Sequence, residues 1–105
     1  MKALIVYITM PDEASARRMA RTLVEERLCA GANVIPGLHS VYHWQGTLEE
    51  QGECACILKT SDERWAALEQ RARELHPYET PCIAALAAEH IHLPFLCWIA
   101  EETRS

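Results

Sequence analysis

The sequence predicts an α+β fold whose elements follow the order β-α-β-β-α-β, with a short helix at the C-terminus. Three observations predict it. Apolar runs of strand length alternate with segments whose apolar residues recur at helical spacing. Turn and cap residues separate these segments. Composition does not shift along the 105 residues, half of which are hydrophobic. A single folded domain is therefore expected over residues 1–105.

The first two elements are a strand and a helix. Lys2 to Thr9 is an apolar run rich in β-branched residues, which is typical of a buried strand. Pro11-Asp12-Glu13 then opens a helix, with acidic groups at the positive end of the helix dipole. Apolar residues repeat along this helix at one-face spacing, so we expect the helix to cover one face of a sheet. They are Ala16, Ala20, Leu23 and Val24.

The middle of the chain predicts three strand segments. Ala32 to Ile35 resumes a strand, and Pro36-Gly37 breaks or kinks it. Val41 to Trp44 and Glu53 to Lys59 then read as two antiparallel strands around a polar turn that contains Gly46-Thr47. This hairpin is long for so small a domain.

The second helix is predicted to start at Thr60-Ser61-Asp62-Glu63, which has the spacing of a capping box. The segment His76 to Pro81 ends it, a strand runs on to about Ala88, and a C-terminal helix follows. The apolar stripe of the second helix consists of Trp65, Leu68, Ala72 and Leu75. The apolar residues of the C-terminal helix are Phe95, Leu96, Trp98 and Ile99.

This element order is the ferredoxin-like plan, in which two helices pack on one face of a four-stranded antiparallel sheet. An isolated sheet of this kind leaves two strand edges and one whole face without cover. Pairing of edges around a three-fold axis would bury these surfaces, so we expect a homotrimer.

The segment His76-Pro77-Tyr78-Glu79-Thr80-Pro81 carries more chemistry than a turn requires. Its two prolines stop the helix and hold the backbone near extended geometry. Between them lie an imidazole, a phenol and a carboxylate, which bind ions or exchange hydrogen bonds. We therefore interpret this segment as the centre of a functional site.

Charge and composition exclude several classes of partner. The net charge of −5 argues against nucleic acid, because a phosphate backbone requires clustered basic side chains. No apolar run reaches membrane-spanning length, and the N-terminus has no cleavage-site pattern, so we expect a cytoplasmic protein. Five cysteines without a Cys-x-x-Cys pair argue against a disulfide framework or zinc finger and favour buried apolar roles.

Seven collinear motifs resemble the CutA1 family of divalent-cation tolerance proteins. They are Thr9-x-Pro11-Asp12, Glu26-Arg27-Leu28, Asn33-x-Ile35-Pro36-Gly37, Ser40-x-Tyr42-x-Trp44-x-Gly46, Leu58-Lys59-Thr60, His76-Pro77-Tyr78-Glu79-x-Pro81 and Leu96-x-Trp98. The resemblance runs from about Ala3 to Ile99. It implies a ferredoxin-like subunit in a tight homotrimer similar to PII signalling proteins, and a link to copper and other divalent metals.

We expect metal binding, if present, at His76 and Cys82, since copper favours imidazole and, as Cu(I), thiolate. The copper ligands proposed in some bacterial family members include two further positions, which are Ile8 and Leu75 here. Cys54 and Cys56 are predicted to share one face of a strand by the two-residue repeat, as would His90 and His92 if extended, and these pairs are weaker candidates. Packing explains the first pair more simply, and a solvated loop explains the second.

The resemblance also implies a cleft between subunits, and we expect it to be lined by Trp44, Lys59, Tyr78, Glu79 and Trp98. Two functions stay open. The first is a metal-response protein that binds Cu(II) or another divalent cation without an obligatory cofactor. The alternative is a PII-like signalling or scaffold module that binds a small anionic ligand or a partner protein. No nucleotide loop or hydrolase motif is present, so an enzyme is not expected.

Overall fold

The structure is a computed structural model that describes residues 1–104. The strands are β1 (Ala3–Met10), β2 (Gly31–Trp44), β3 (Thr47–Ser61) and β4 (Ile83–Ala87). The helices are α1 (Glu13–Glu25), α2 (Trp65–Leu75) and α3 (Leu93–Glu102), and a short 3₁₀ turn, Asp62–Arg64, precedes α2. The predicted β-α-β-β-α-β order with a C-terminal helix is confirmed.

The four strands form one antiparallel sheet in the order β2-β3-β1-β4. Helices α1 and α2 pack on one face, which we call the helix face. Its core combines alternate strand residues with the apolar stripes of both helices, as predicted. Fully buried members are Val6, Ile8, Ala16, Leu23, Cys56, Leu58, Leu68 and Ala72.

The opposite face, which we call the open face, is covered at one end only. There Ile99 of α3 is buried with Ala3 and Ala30 in a second, smaller apolar cluster. Farther along this face, apolar side chains stay in contact with solvent, including Ile35 at 41% exposure and Leu86 at 70%. The chain therefore covers one side of its sheet with two helices and leaves most of the other side bare.

Strands β2 and β3 extend beyond the rest of the sheet. β1 makes its last pair with β3 at Met10 and Cys54, whereas β2 and β3 continue pairing to Trp44 and Thr47. Residues 38–44 and 47–53 thus form a two-stranded projection, which we call the arm. Gln45 and Gly46 close it with positive φ angles of 50° and 81°, the requirement of a tight type I′ hairpin turn.

The sequence predicted a break or kink at Pro36-Gly37, and the structure has a β-bulge within one continuous strand. The pairing shifts between Ile35 and Leu38, so β2 gains one residue relative to β3. Gly37 takes a φ of +83°, which suits a glycine in such a bulge. The extra residue reverses the alternation, so Tyr42 and Trp44 lie on the same face as Ile35.

The capping box predicted at Thr60 is wrong. β3 continues to Ser61, which pairs with Ala3, and the Thr60 hydroxyl donates to the Leu28 carbonyl at 2.7 Å. α2 begins later, at Trp65. Strand pairing and a buried hydrogen bond to a neighbouring loop hold Thr60 in extended geometry, in preference to a local cap.

Candidate ligand groove

A groove with a volume of about 540 Å³ lies at the base of the arm on the open face. On one side stands the segment between α2 and β4, and on the other stand the arm strands and the end of β1. The lining residues are Thr9, Tyr42, Trp44, Glu53, Pro77, Tyr78, Glu79, Thr80 and Cys82. The groove therefore centres on the segment whose residue types suggested a site.

His76 fixes the position of this segment. It ends α2 with extended backbone, and its side chain is buried. Its Nε2 donates to the Thr9 carbonyl at 2.8 Å, while its Nδ1 accepts from the Tyr78 backbone N–H at 3.2 Å. Because a carbonyl only accepts and an amide N–H only donates, this pair of bonds defines a neutral ring with its proton on Nε2. The imidazole thus ties the end of β1 to the groove segment.

Tyr78 joins that segment to the floor of the groove. Its hydroxyl donates to Glu53 Oε2 at 2.9 Å, and Gln51 Nε2 approaches the same hydroxyl at 3.4 Å. Gln51 Nε2 also donates to the Tyr42 hydroxyl at 2.7 Å. Burial and the neighbouring Glu53 carboxylate raise the pKa of Tyr78 to about 12. The phenol therefore keeps its proton at neutral pH and acts as a hydrogen-bond donor.

The charge of the groove comes from carboxylates. Glu53 lies on β3 with only 8% of its surface exposed, and Glu79 lines the groove from the opposite segment. Among the described residues, no lysine, arginine or histidine lines the groove. The exposed thiol of Cys82 completes the lining. This arrangement favours a positively charged or neutral ligand over an anion.

The structure separates the residues predicted for the cleft. Trp44, Tyr78 and Glu79 line the groove together with Cys82, whereas Lys59 and Trp98 do not. Lys59 Nζ donates to Asn33 Oδ1 near the covered end of the open face. The five predicted residues therefore do not share one groove within residues 1–104.

Trp98 lies at the same covered end as Lys59. It stacks on Phe95 with ring centroids 5.4 Å apart and lies against Gly31. A Cβ added to Gly31 would approach the Trp98 ring to 3.1 Å, so this close contact depends on glycine.

Sequence reasoning missed Glu53, Gln51 and Thr9 as parts of the site. Gln51 and Glu53 are polar residues two positions apart at the start of an apolar strand, so the period of two places them on one face. That signal indicates a shared face. It does not indicate that Tyr78, distant in sequence, donates to Glu53.

The described part of a single chain places few possible metal ligands close to one another. Across residues 1–104, no group of three or more His, Cys, Asp or Glu side chains is placed to hold one ion. Both ring nitrogens of His76 are already hydrogen bonded, so metal binding there requires that Nδ1 release the Tyr78 N–H. The assignment of His76 and Cys82 as metal ligands stays a prediction.

Three of the five cysteines are buried and two are exposed. Cys54 and Cys56 share the helix face, as predicted, and with Cys29 they are buried free thiols. Burial raises the pKa of Cys29 to about 12 and that of Cys56 to about 11. Cys29 and Cys56 therefore stay protonated at neutral pH, and all three buried cysteines pack as small apolar groups. Cys82 and Cys97 are exposed, so the predicted buried role is wrong for these two cysteines.

The fold and the groove define a class of protein, a ferredoxin-like α+β chain with a projecting β-arm and a small polar groove at its base. Comparison with known proteins identifies the family within this class. The family described as CutA1 divalent ion tolerance protein matches residues 4–102. The chain belongs to this family.

Individual relatives agree over nearly the whole chain. The divalent-cation tolerance protein CutA of Pyrococcus horikoshii is 41% identical over 101 residues, which is 96% of this chain and 98% of the relative. The solved Cut A1 structure from Thermus thermophilus has a TM-score of 0.94 and 41% identity, covering 97% of this chain and 99% of that one. The CutA1 structure from Oryza sativa has a TM-score of 0.96 at 31% identity, covering 100% and 96%.

The cytoplasmic location of this chain stays a prediction, because not all relatives share that compartment. A rice relative, 32% identical over 102 residues (97% of this chain and 58% of the relative), is named as chloroplastic. Within residues 1–104, no helix has the length and apolar character that crossing a membrane would require.

Proposed function

We propose that the chain serves divalent-cation tolerance as a cytoplasmic homotrimer that binds copper or another divalent cation weakly. It acts as a binding protein and not as an enzyme. The observation that supports this best is the groove, which two carboxylates and an exposed thiol line without any cationic lining side chain among the described residues.

The ligand types of the groove suit more than one metal. The Cys82 thiol suits soft Cu(I), while carboxylates suit harder divalent ions. His76 joins the ligand set only by giving up one of its two hydrogen bonds. A single subunit thus offers an incomplete set of donors, which supports the proposal that binding is weak and that a neighbouring subunit completes the site.

Two features of the chain support trimerisation. The arm is a two-stranded hairpin beyond the body of the sheet, and such hairpins have marginal stability in water without a packing partner. The open face exposes Ile35, Tyr7 and Leu86 between the arm and α3. Contact among three copies around one axis would bury both surfaces.

Light scattering at micromolar concentration tests the assembly. We expect a mass of about three times the 11.9 kDa chain. A folded species at the mass of one chain would contradict the trimer and would leave the open face without an occupant.

Isothermal calorimetry with copper tests the metal site. Cys82→Ser is the informative variant, and Cys97→Ser is its matched control because both thiols are exposed. We expect the first to weaken Cu(I) binding, measured under reducing conditions, and the second to leave it unchanged. His76→Ala, titrated with Cu(II), decides whether the imidazole contributes. Binding heat that ignores all three substitutions would remove the predicted ligands from the site.

A PII-like role in binding an anionic ligand or partner has one observation in its favour. Lys59 lies on the open face outside the acidic groove, close to Asn33. A thermal-shift screen of anionic metabolites, repeated with Lys59→Gln, tests this alternative. A shift that the variant abolishes would favour it, and the absence of any shift in the wild-type chain would count against it.

A further inference from the structure

Glu53 is a buried carboxylate that lacks a cationic partner. Only 8% of the residue is exposed, and among residues 1–104 no Lys, Arg or His forms an ion pair with it. Among residues 1–104, the one side chain that donates a hydrogen bond to it is Tyr78, whose hydroxyl contacts Oε2. Burial of a carboxylate costs free energy unless a counter-charge compensates for the lost water. No fully buried side-chain oxygen or nitrogen among residues 1–104 lacks a hydrogen-bond partner, so any Glu53 oxygen without one lies open to the groove, where a positive group can reach it.

Several exposed glutamates elsewhere in the chain pair with arginine. Arg71 binds Glu26 at 3.0 Å, although 41% of that glutamate side chain is exposed, and Arg21 binds Glu25, which is 62% exposed. Exposed pairs of this kind contribute little stability. Glu53 is more buried than either of these glutamates, has no Arg, Lys or His paired with it among residues 1–104, and lines a groove open to other molecules.

The shape and walls of the groove indicate what kind of positive group fits. Its volume of about 540 Å³ lies within the range of small-molecule pockets and far exceeds a bare ion. Trp44 and Tyr42 contribute aromatic surface on the arm side, and both stay more than a third exposed. Aromatic rings beside a carboxylate attract organic cations through cation–π and ionic contacts together.

We infer that this groove binds a monovalent organic cation, an alkylammonium or guanidinium group, whose charge pairs with Glu53 and whose carbon chain contacts Trp44 and Tyr42. Tyr78 holds the carboxylate in place through its hydroxyl. This inference does not depend on metal binding, and binding of a free cation does not depend on trimerisation. The group can come from a free small molecule or from a lysine or arginine side chain of a second copy, because both present the same chemistry.

The first arm of the test uses n-butylamine and agmatine as probes, titrated by calorimetry into the full chain in the presence of EDTA. EDTA removes divalent metals, so failure of the proposed metal site cannot affect this result. We expect both cations to bind and the neutral control n-butanol not to bind. Glu53→Gln should weaken binding about tenfold or more, since it removes the charge and keeps the shape. Glu89→Gln removes the same charge from an exposed loop and should change nothing.

The second arm identifies a cation supplied by another copy. If neither probe binds the wild-type chain, the assembly is diluted and its dissociation is followed by light scattering. Glu53→Gln should then raise the dissociation constant about tenfold, while Glu89→Gln leaves it unchanged. Trp44→Leu, which keeps the carboxylate, provides an independent readout in either arm and decides the case if Glu53→Gln does not fold. Wild-type chain that binds no probe, with an assembly indifferent to both substitutions, would overturn the inference.

Discussion

The two faces of the sheet are built from the same strands, but one face is buried and most of the other is exposed to solvent. On the helix face, Val6, Ile8 and Leu58 are fully buried beneath α1 and α2. On the open face, Ile35 and Leu86 remain 41% and 70% exposed. The residue types are similar on both sides, so the difference lies in what covers them.

This difference shows that the sequence contains apolar residues beyond those that the core of a single chain buries. Strands that are apolar on both faces are typical of sheets covered on both sides. Here the chain supplies two helices for one face and only α3, at one end, for the other. The open face and the arm are therefore suited to contact with something outside the chain, and the groove lies where they meet.

Truncation of a residue on the helix face should have the largest effect. Leu58→Ala removes a fully buried side chain from the main core, and we expect it to lower the free energy of unfolding by about 2–5 kcal/mol. Denaturant unfolding at fixed concentration measures the loss. Leu86→Ala on the open face, tested under dilution to single chains, should cost less than about 0.5 kcal/mol. Equal losses would erase the distinction between the faces.

A charge on the open face should disrupt assembly while sparing the fold. Leu86→Arg places a cation in the proposed contact surface, so we expect the mass by light scattering to fall toward that of one chain with unchanged circular dichroism. Gln70→Arg, at an exposed position of α2, is the control and should leave the mass unaltered. Retention of the full mass by Leu86→Arg would place the interface elsewhere.

The bulge that orients the arm should tolerate a side chain poorly. Gly37 has a φ of +83°, and Gly37→Ala is expected to cost about 1–2 kcal/mol because an L-residue is strained there. Gly52→Ala is the matched control on the partner strand. Its added Cβ meets only the Leu38 carbonyl oxygen at an ordinary 3.9 Å, so it should be neutral or slightly stabilising. Thermal unfolding of both variants makes the comparison.

The buried thiols of the helix face should respond to alkaline pH. Burial raises the pKa of Cys29 to about 12 and of Cys56 to about 11, above the ordinary 9.0 of an unfolded thiol. The folded chain then holds protons that the unfolded chain releases, so stability is intact below pH 9 and falls as pH rises from 9 toward 11–12. Each thiol contributes a slope of at most about 1.4 kcal/mol per pH unit.

Thiol labelling provides a second measurement of the same contrast. Iodoacetamide at pH 8 should modify Cys82 and Cys97 and spare Cys29, Cys54 and Cys56, as read by mass spectrometry of peptides. Double substitution of Cys29 and Cys56 by alanine should flatten the alkaline decline in stability. Rapid labelling of all five thiols in folded protein would show that the helix-side core opens readily.

Local patterns determined the elements of this fold. The acidic opening of α1 was predicted from Pro11-Asp12-Glu13, and Asp12 caps the helix by accepting from the Ser15 N–H at 2.7 Å. The apolar stripes of α1 and α2 and the shared face of Cys54 and Cys56 were also evident, because helix and strand periods place residues on faces without knowledge of tertiary contacts.

Tertiary contacts decided what local patterns could not. Thr60 has capping-box spacing, yet pairing with β1 and a hydrogen bond to Leu28 keep it in a strand. The bulge at Gly37 reverses alternation along the arm, so the faces of Tyr42 and Trp44 depend on pairing with β3.

For the site, too, the sequence identified some features and tertiary contacts decided the others. The sequence by itself identified the segment His76 to Pro81, because its residue types exceed what a turn needs. Only the folded chain joins Tyr78 to Glu53, tethers His76 to Thr9 and moves Lys59 and Trp98 away from the groove. Such contacts connect residues far apart in the chain, and their distances are set by strand register and packing, which no local periodicity specifies.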